Sequence, residues 1–347
     1  MTSAADPEAA VPARRFRSFS LAMLATFALL NVAALLLLPH DKYLRYQALN
    51  DAQAPTTYWI YERIHFDPAP IDIAFLGTSR TGMSIHTARL EEDLARLGIH
   101  AKAVNFYCVR SGTNLQYVIA KELLDNRKVK LLVLEMTESE ERKGHDAFNL
   151  YADSKDILSA PLLINLGYLS DIARLPGRQV TLAWETLLQR IGLRDPDFVP
   201  PPYEGPNRDH AEFIRSIDNA VHPNTLSHSR EEMDKLHAEW DLGLTRPLLP
   251  SSFSSLEYRL PRYYENRIID LARAHGTQVV FLYTPKYGGP PTPQHYQLYA
   301  SRADLINPYA VGQDYQLWLN ENHSNWEGAK RVTDYVAETL AKRPELR

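Results

Sequence analysis

Two side chains far apart in the sequence, Ser79 and His323, carry the groups that nucleophilic catalysis uses. A serine hydroxyl is a weak nucleophile until a base takes its proton, and imidazole changes charge near neutral pH. Ser79 ends the run Ile71-Asp72-Ile73-Ala74-Phe75-Leu76-Gly77-Thr78-Ser79, an apolar stretch leading into Gly-x-Ser. His323 lies in Asn320-Glu321-Asn322-His323-Ser324-Asn325-Trp326-Glu327-Gly328, just ahead of a helical pattern. Serine early and histidine late is one of the chain orders that brings nucleophile and base together. Attack on a carbonyl also needs donors aimed at the developing oxyanion. The backbone N–H of Ser79 is one candidate. The N–H of Gly112, in Arg110-Ser111-Gly112-Thr113-Asn114, is a second, because glycine lets the main chain come close to a ligand. The Asn114 amide is a third, although an asparagine at a helix start more often serves the helix. Alone, Ser79 also fits a capping turn and His323 a helix start; the weight comes from the two blocks together.

The elements that must position these groups alternate strand and helix from residue 71. Strands are predicted at 71–76, 102–107, 130–136 and 278–283, and helices at 84–97, 114–126, 263–275 and 326–340. Consecutive apolar positions, as in Leu131-Leu132-Val133-Leu134, suit parallel strands covered on both faces. Right-handed crossovers then bring Ser79, Gly112 and Thr137-Glu138 to one sheet edge. The fold class expected is α/β, a three-layer sandwich with a mainly parallel sheet. Residues 138–255 break the rhythm and read as an irregular insertion capping that edge, with helical stretches at 161–174 and 179–191. The last helix carries Ser324-x-x-Glu327, a capping-box spacing.

Residues 18–38 are apolar for the thickness of a bilayer, and Arg14, Arg15 and Arg17 precede them. No small-x-small cleavage site follows, so a retained anchor is favoured over a cleaved leader. The positive-inside rule puts residues 1–17 in the cytoplasm as a disordered tail and exports the rest. Residues 39–70 read as a juxtamembrane connector whose Tyr58, Trp59, Tyr61 and Phe66 pack under the sheet or form an interfacial belt, with packing favoured.

The two blocks together resemble the SGNH/GDSL hydrolase superfamily, and its membrane-anchored members among bacterial envelope polysaccharide proteins in particular. Gly77-Thr78-Ser79 matches the serine block with Thr78 where the family has Asp, and Gly112 matches the glycine block. The third block lacks its asparagine and reads Glu135-Met136-Thr137-Glu138. The last block, usually Asp-x-x-His, is Asn320-x-x-His323. The resemblance implies a flavodoxin-like domain over 71–347, Ser79 and His323 as catalytic residues oriented by Asn320, and Arg80 as a substrate contact. Glu321, Glu138 and Asp314 are alternative acids for the histidine. It further implies an acyl-ester hydrolase or O-acyltransferase on a cell-envelope glycan, held in a bacterial inner membrane with its main domain in the periplasm. A non-catalytic module within an envelope polysaccharide assembly complex is the alternative.

The net charge of -4 and the lack of a long basic run argue against a nucleic-acid partner. The lone Cys108 forms no internal disulfide and reads as a small buried hydrophobe. No cofactor is expected. Glu135, Glu138, Glu140 and Glu141 read as a solvated loop face rather than a metal cluster, and His222, His228 and His237 as solvent-exposed.

Overall fold

The computed structural model describes residues 10–47, 57–110, 112–194, 213–215, 221–243 and 247–347. Helix α1 (Ala10–Leu37) is followed by α2 (Lys42–Gln47), α3 (Thr57–His65), strand β1 (Ile73–Gly77), α4 (Ser79–Ser84), α5 (Thr87–Arg96), β2 (Ala103–Tyr107), α6 (Thr113–Asn126) and β3 (Leu131–Met136). The inserted region supplies α7 (Phe148–Tyr151), α8 (Ser154–Leu158), α9 (Tyr168–Arg190), the hairpin β4 (Phe213–Arg215) and β5 (Val221–Pro223), α10 (Arg230–Gly243) and α11 (Ser254–Glu257). Helix α12 (Arg259–Ala274), β6 (Gln278–Tyr283), β7 (Asp304–Ile306) and α13 (Trp326–Leu340) complete the chain.

The main sheet has the order β2-β1-β3-β6-β7, and every pairing in it is parallel. Side chains alternate between two apolar layers. Ala74, Leu76, Leu132 and Leu134 pack toward α6 and α12, while Ile73, Phe75, Leu131 and Val133 pack toward α5 and α13. Such burial on both faces explains why the strands read as unbroken apolar runs. The connections reverse direction between β1, which leads to β2, and its neighbour β3, which leads to β6. In open parallel sheets a ligand crevice forms at that reversal, outside the carboxyl ends of the strands.

The connector is packed. Trp59 and Ile60 are buried, with Trp59 tilted against Phe106 at 5.7 Å and Tyr43 stacked on Tyr61 at 5.0 Å. The Tyr58 side chain and residues 1–9 of the expected tail lie outside the described residues. The apolar part of α1, Ser18–Leu37, has a mean hydropathy of 2.2 and is long and apolar enough to cross a membrane.

Four features differ from what was expected. The helix expected over 84–97 is α5, and the short α4 ahead of it was not foreseen; the chain turns between them at Ile85-His86, where the Asn105 amide donates to Thr81 O and Ile85 O. The two helices expected at 161–174 and 179–191 are one. Helix α9 runs through Pro176 because Leu175, Gln179, Leu182 and Thr186 bury one continuous flank, which offsets the single lost backbone bond. Strand β7 was not foreseen, since three residues carry no readable alternation. The cap of α13 is Asn325, whose side chain accepts from Gly328 N at 3.0 Å, and not Ser324, whose hydroxyl pairs with that of Ser84.

Candidate active site

Ser79 is the first residue of α4, placed where β1 ends at Gly77. Thr78 caps the helix, its hydroxyl accepting from Arg80 N at 3.1 Å. A Cβ on Gly77 would overlap Thr81 Oγ1 and Glu135 Oε2, so the turn needs glycine for close approach. The buried carboxylate of Glu135 accepts from Thr78 N (2.7 Å), Thr78 Oγ1 (2.8 Å), Thr81 N (3.2 Å) and the Thr81 hydroxyl. One anion therefore clamps both sides of the serine turn. With Thr78 N, Arg80 N and Thr81 N all engaged, the Ser79 N–H has no acceptor among the described residues. First-turn amides of a helix lack intrahelical partners, so this N–H is available to an oxyanion.

Of the four glutamates expected on a solvated face, only Glu141 is exposed. Glu135 and Glu138 are buried, and Glu140 is paired with Arg262. Arg80 is committed internally as well. Its guanidinium donates to both Glu138 oxygens (2.6 and 3.2 Å), to Thr284 O (3.1 Å) and to Asn322 Oδ1 (3.0 Å). These bonds tie the serine helix to the histidine turn, and a largely buried guanidinium needs such carboxylate and carbonyl partners; they do not test the expected substrate contact.

The Ser79 hydroxyl lies 2.8 Å from His323 Nε2. On the other side of the ring, His323 Nδ1 is 3.0 Å from Asn320 Oδ1. The same Oδ1 accepts from His323 N at 3.0 Å and Asn322 N at 2.9 Å, which identifies it as the carbonyl end of the amide. Nδ1 must then carry the proton, leaving the Nε2 lone pair for the serine. Burial, reinforced by the Arg80 cation, lowers the imidazole to about 4. None of the alternative acids reaches the ring: Glu138 holds Arg80, Glu321 accepts from Asn322 Nδ2, and Asp314 accepts from Gln316 N.

The histidine turn is also held from the insertion. Asn224 Nδ2 donates to Ser324 O at 3.1 Å, Asn224 O accepts from Trp326 N at 2.6 Å, and His228 Nε2 donates to Leu319 O at 2.9 Å. His228 and His237 are half-buried rather than solvent-exposed; the His222 side chain lies outside the described residues.

Gly112 adopts φ +155°, and a Cβ there would overlap His145. It shares with Thr78 and Glu135 the wall of a small cavity of about 40 Å³, room for a water. Asn114 holds the loop through its carbonyl oxygen. Its Oδ1 accepts from His145 N (2.7 Å) and Leu115 N (3.0 Å), and its amide nitrogen lies against Gly144. Burial pushes the Cys108 thiol up to about 12, as for a packing residue. In the same cavity, the buried Glu265 faces His295 at 3.9 Å, and desolvation raises it to about 8. Among the described residues no group of three or more His, Cys, Asp or Glu is placed to hold a metal ion.

Sequence reasoning missed the roles of Glu135 and Glu138. One signal was present: Glu135 sits inside a strand covered on both faces, between Leu134 and Met136, and a carboxylate there must be hydrogen-bonded. Fold and site together define an α/β parallel-sheet protein with a Ser–His–Asn constellation at the reversal of strand order. No family model and no curated protein matches the chain.

Proposed function

We propose that this chain is an SGNH-like serine acyl-ester hydrolase or O-acyltransferase, anchored by α1 in a bacterial inner membrane and acting on a cell-envelope glycan from the periplasmic side. The observation that carries the reading is the 2.8 Å approach of Ser79 Oγ to His323 Nε2, with the tautomer held by Asn320. Ser79 attacks the ester carbonyl, forming the Oγ–C bond while its proton passes to Nε2. The Ser79 N–H, with that of Gly112 as the second candidate, stabilises the oxyanion. Collapse breaks the bond to the leaving alcohol, which takes the proton from His323. Water or a sugar hydroxyl then takes the acyl group by the same steps in reverse.

A second reading is a non-catalytic glycan-binding or assembly module. It is favoured by the amide at Asn320, which cannot stabilise imidazolium as a carboxylate does, and by the low basicity of His323. Labelling with a fluorophosphonate probe separates the two. The enzyme reading expects wild type to label and Ser79→Ala and His323→Ala not to. A folded wild type that does not label establishes the binding module.

A further inference from the structure

Helix α9 carries two stripes. Leu175, Gln179, Leu182 and Thr186, spaced four, three and four residues apart, bury one flank. Val180, Trp184, Leu187 and Ile191 follow the same spacing, yet each is 45–57% exposed. That spacing aligns side chains along one helix face, so the exposed residues form a continuous apolar strip and not scattered singles. Contiguous exposed apolar surface of this kind marks an interaction face.

The position of α9 says what covers it. The Gln179 side chain donates to Leu36 O at 3.2 Å, and the Thr186 hydroxyl accepts from Asp41 N at 2.9 Å. Both bonds are made where the apolar stretch Ser18–Leu37 ends. If α1 crosses the bilayer, its hydrocarbon boundary falls near Leu37, and residues held beside Leu36 and Asp41 sit at the depth of the lipid headgroups. Arg190 stands between Leu187 and Ile191, and tryptophan favours this depth, as does an amphipathic helix with basic flanks. We propose that the Val180–Ile191 face of α9 lies in the headgroup region of the membrane as a second, in-plane attachment that fixes the tilt of the catalytic domain over the bilayer. This rests on the reading of α1 as an anchor.

The test uses the full chain in nanodiscs of phosphatidylcholine and phosphatidylglycerol, with and without acyl chains brominated near the headgroup. Bromine quenches tryptophan only on contact. Trp59 and Trp318 are buried, and subtracting the Trp184→Phe emission isolates Trp184. The expected result is loss of most of the Trp184 emission in brominated discs, with the quenched component absent from Trp184→Phe. An anchored chain whose Trp184 emission ignores bromine overturns the proposal alone, and a blue-shifted but unquenched Trp184 assigns the face to a second copy or another protein. Release of the chain from membranes by alkaline carbonate overturns the anchor and this proposal together.

Discussion

Replacing Asn320 by Asp restores a carboxylate behind His323, and the size of the effect follows from the geometry. Oδ1 of Asn320 already accepts from His323 Nδ1 at 3.0 Å and from two backbone amides at 2.9 and 3.0 Å. An aspartate keeps these three bonds, and the two amide donors favour its ionised form. Only the charge changes. A neutral hydrogen bond contributes about 0.5–1.5 kcal/mol and one to a charged group about 1.5–3, so the imidazolium gains about 1–1.5 kcal/mol. At about 1.4 kcal/mol per pH unit, His323 moves from about 4 to about 5. A proton-transfer transition state with the same benefit is reached about tenfold faster. The reverse exchange in a serine protease costs about 10⁴, but largely through the wrong tautomer. Here the tautomer is already correct, so only the charge contribution remains. The assay is the second-order rate of fluorophosphonate labelling between about pH 3.5 and 8. Labelling needs neutral imidazole, so the wild-type rate falls as pH drops through about 4, and the Asn320→Asp limb lies about one unit higher. A folded Asn320→Asp protein that labels no faster, or a wild-type limb near the ordinary value of 6.5, refutes the reasoning.

Glu135→Leu leaves Thr78 N and Thr81 N, which both donate to Oε2, without an acceptor in a buried turn. It should cost about 2–4 kcal/mol in denaturant unfolding and slow Ser79 labelling; an unchanged midpoint refutes the clamp. Glu265 keeps its proton in the folded chain up to about 8, whereas the unfolded chain loses it near 4.5. Stability therefore falls as pH rises between those values, by up to about 1.4 kcal/mol per pH unit, and Glu265→Gln should flatten that slope.

How much of the fold could be read in advance depends on how local its causes are. The strands β1, β2, β3 and β6 are unbroken apolar runs, and α13 has apolar residues at helical spacing after a polar turn. Their burial is written in their own residues. Strand β7 is ordered by pairing with β6, and α9 bridges Pro176 because of the surface beneath it. Neither cause lies within the segment itself, so local pattern does not reveal it.

The site divides in the same way. Ser79, Gly112 and His323 are recognisable by type and by the elements next to them, while the acids around them depend on which hydroxyls and guanidinium the fold brings near. Glu135 takes both threonines of the serine turn, and Glu138 takes Arg80, which also holds Asn322 of the histidine turn. Two buried carboxylates thus stand on the serine side, and an amide stands behind the histidine. This distribution fixes the position of the two reacting groups tightly while leaving the base weak, because burial, and after it the cation that joins the two turns, lowers the imidazole. On the proposed enzyme reading, one imidazole tautomer held with Nε2 aimed at a serine hydroxyl is what proton transfer from that hydroxyl requires.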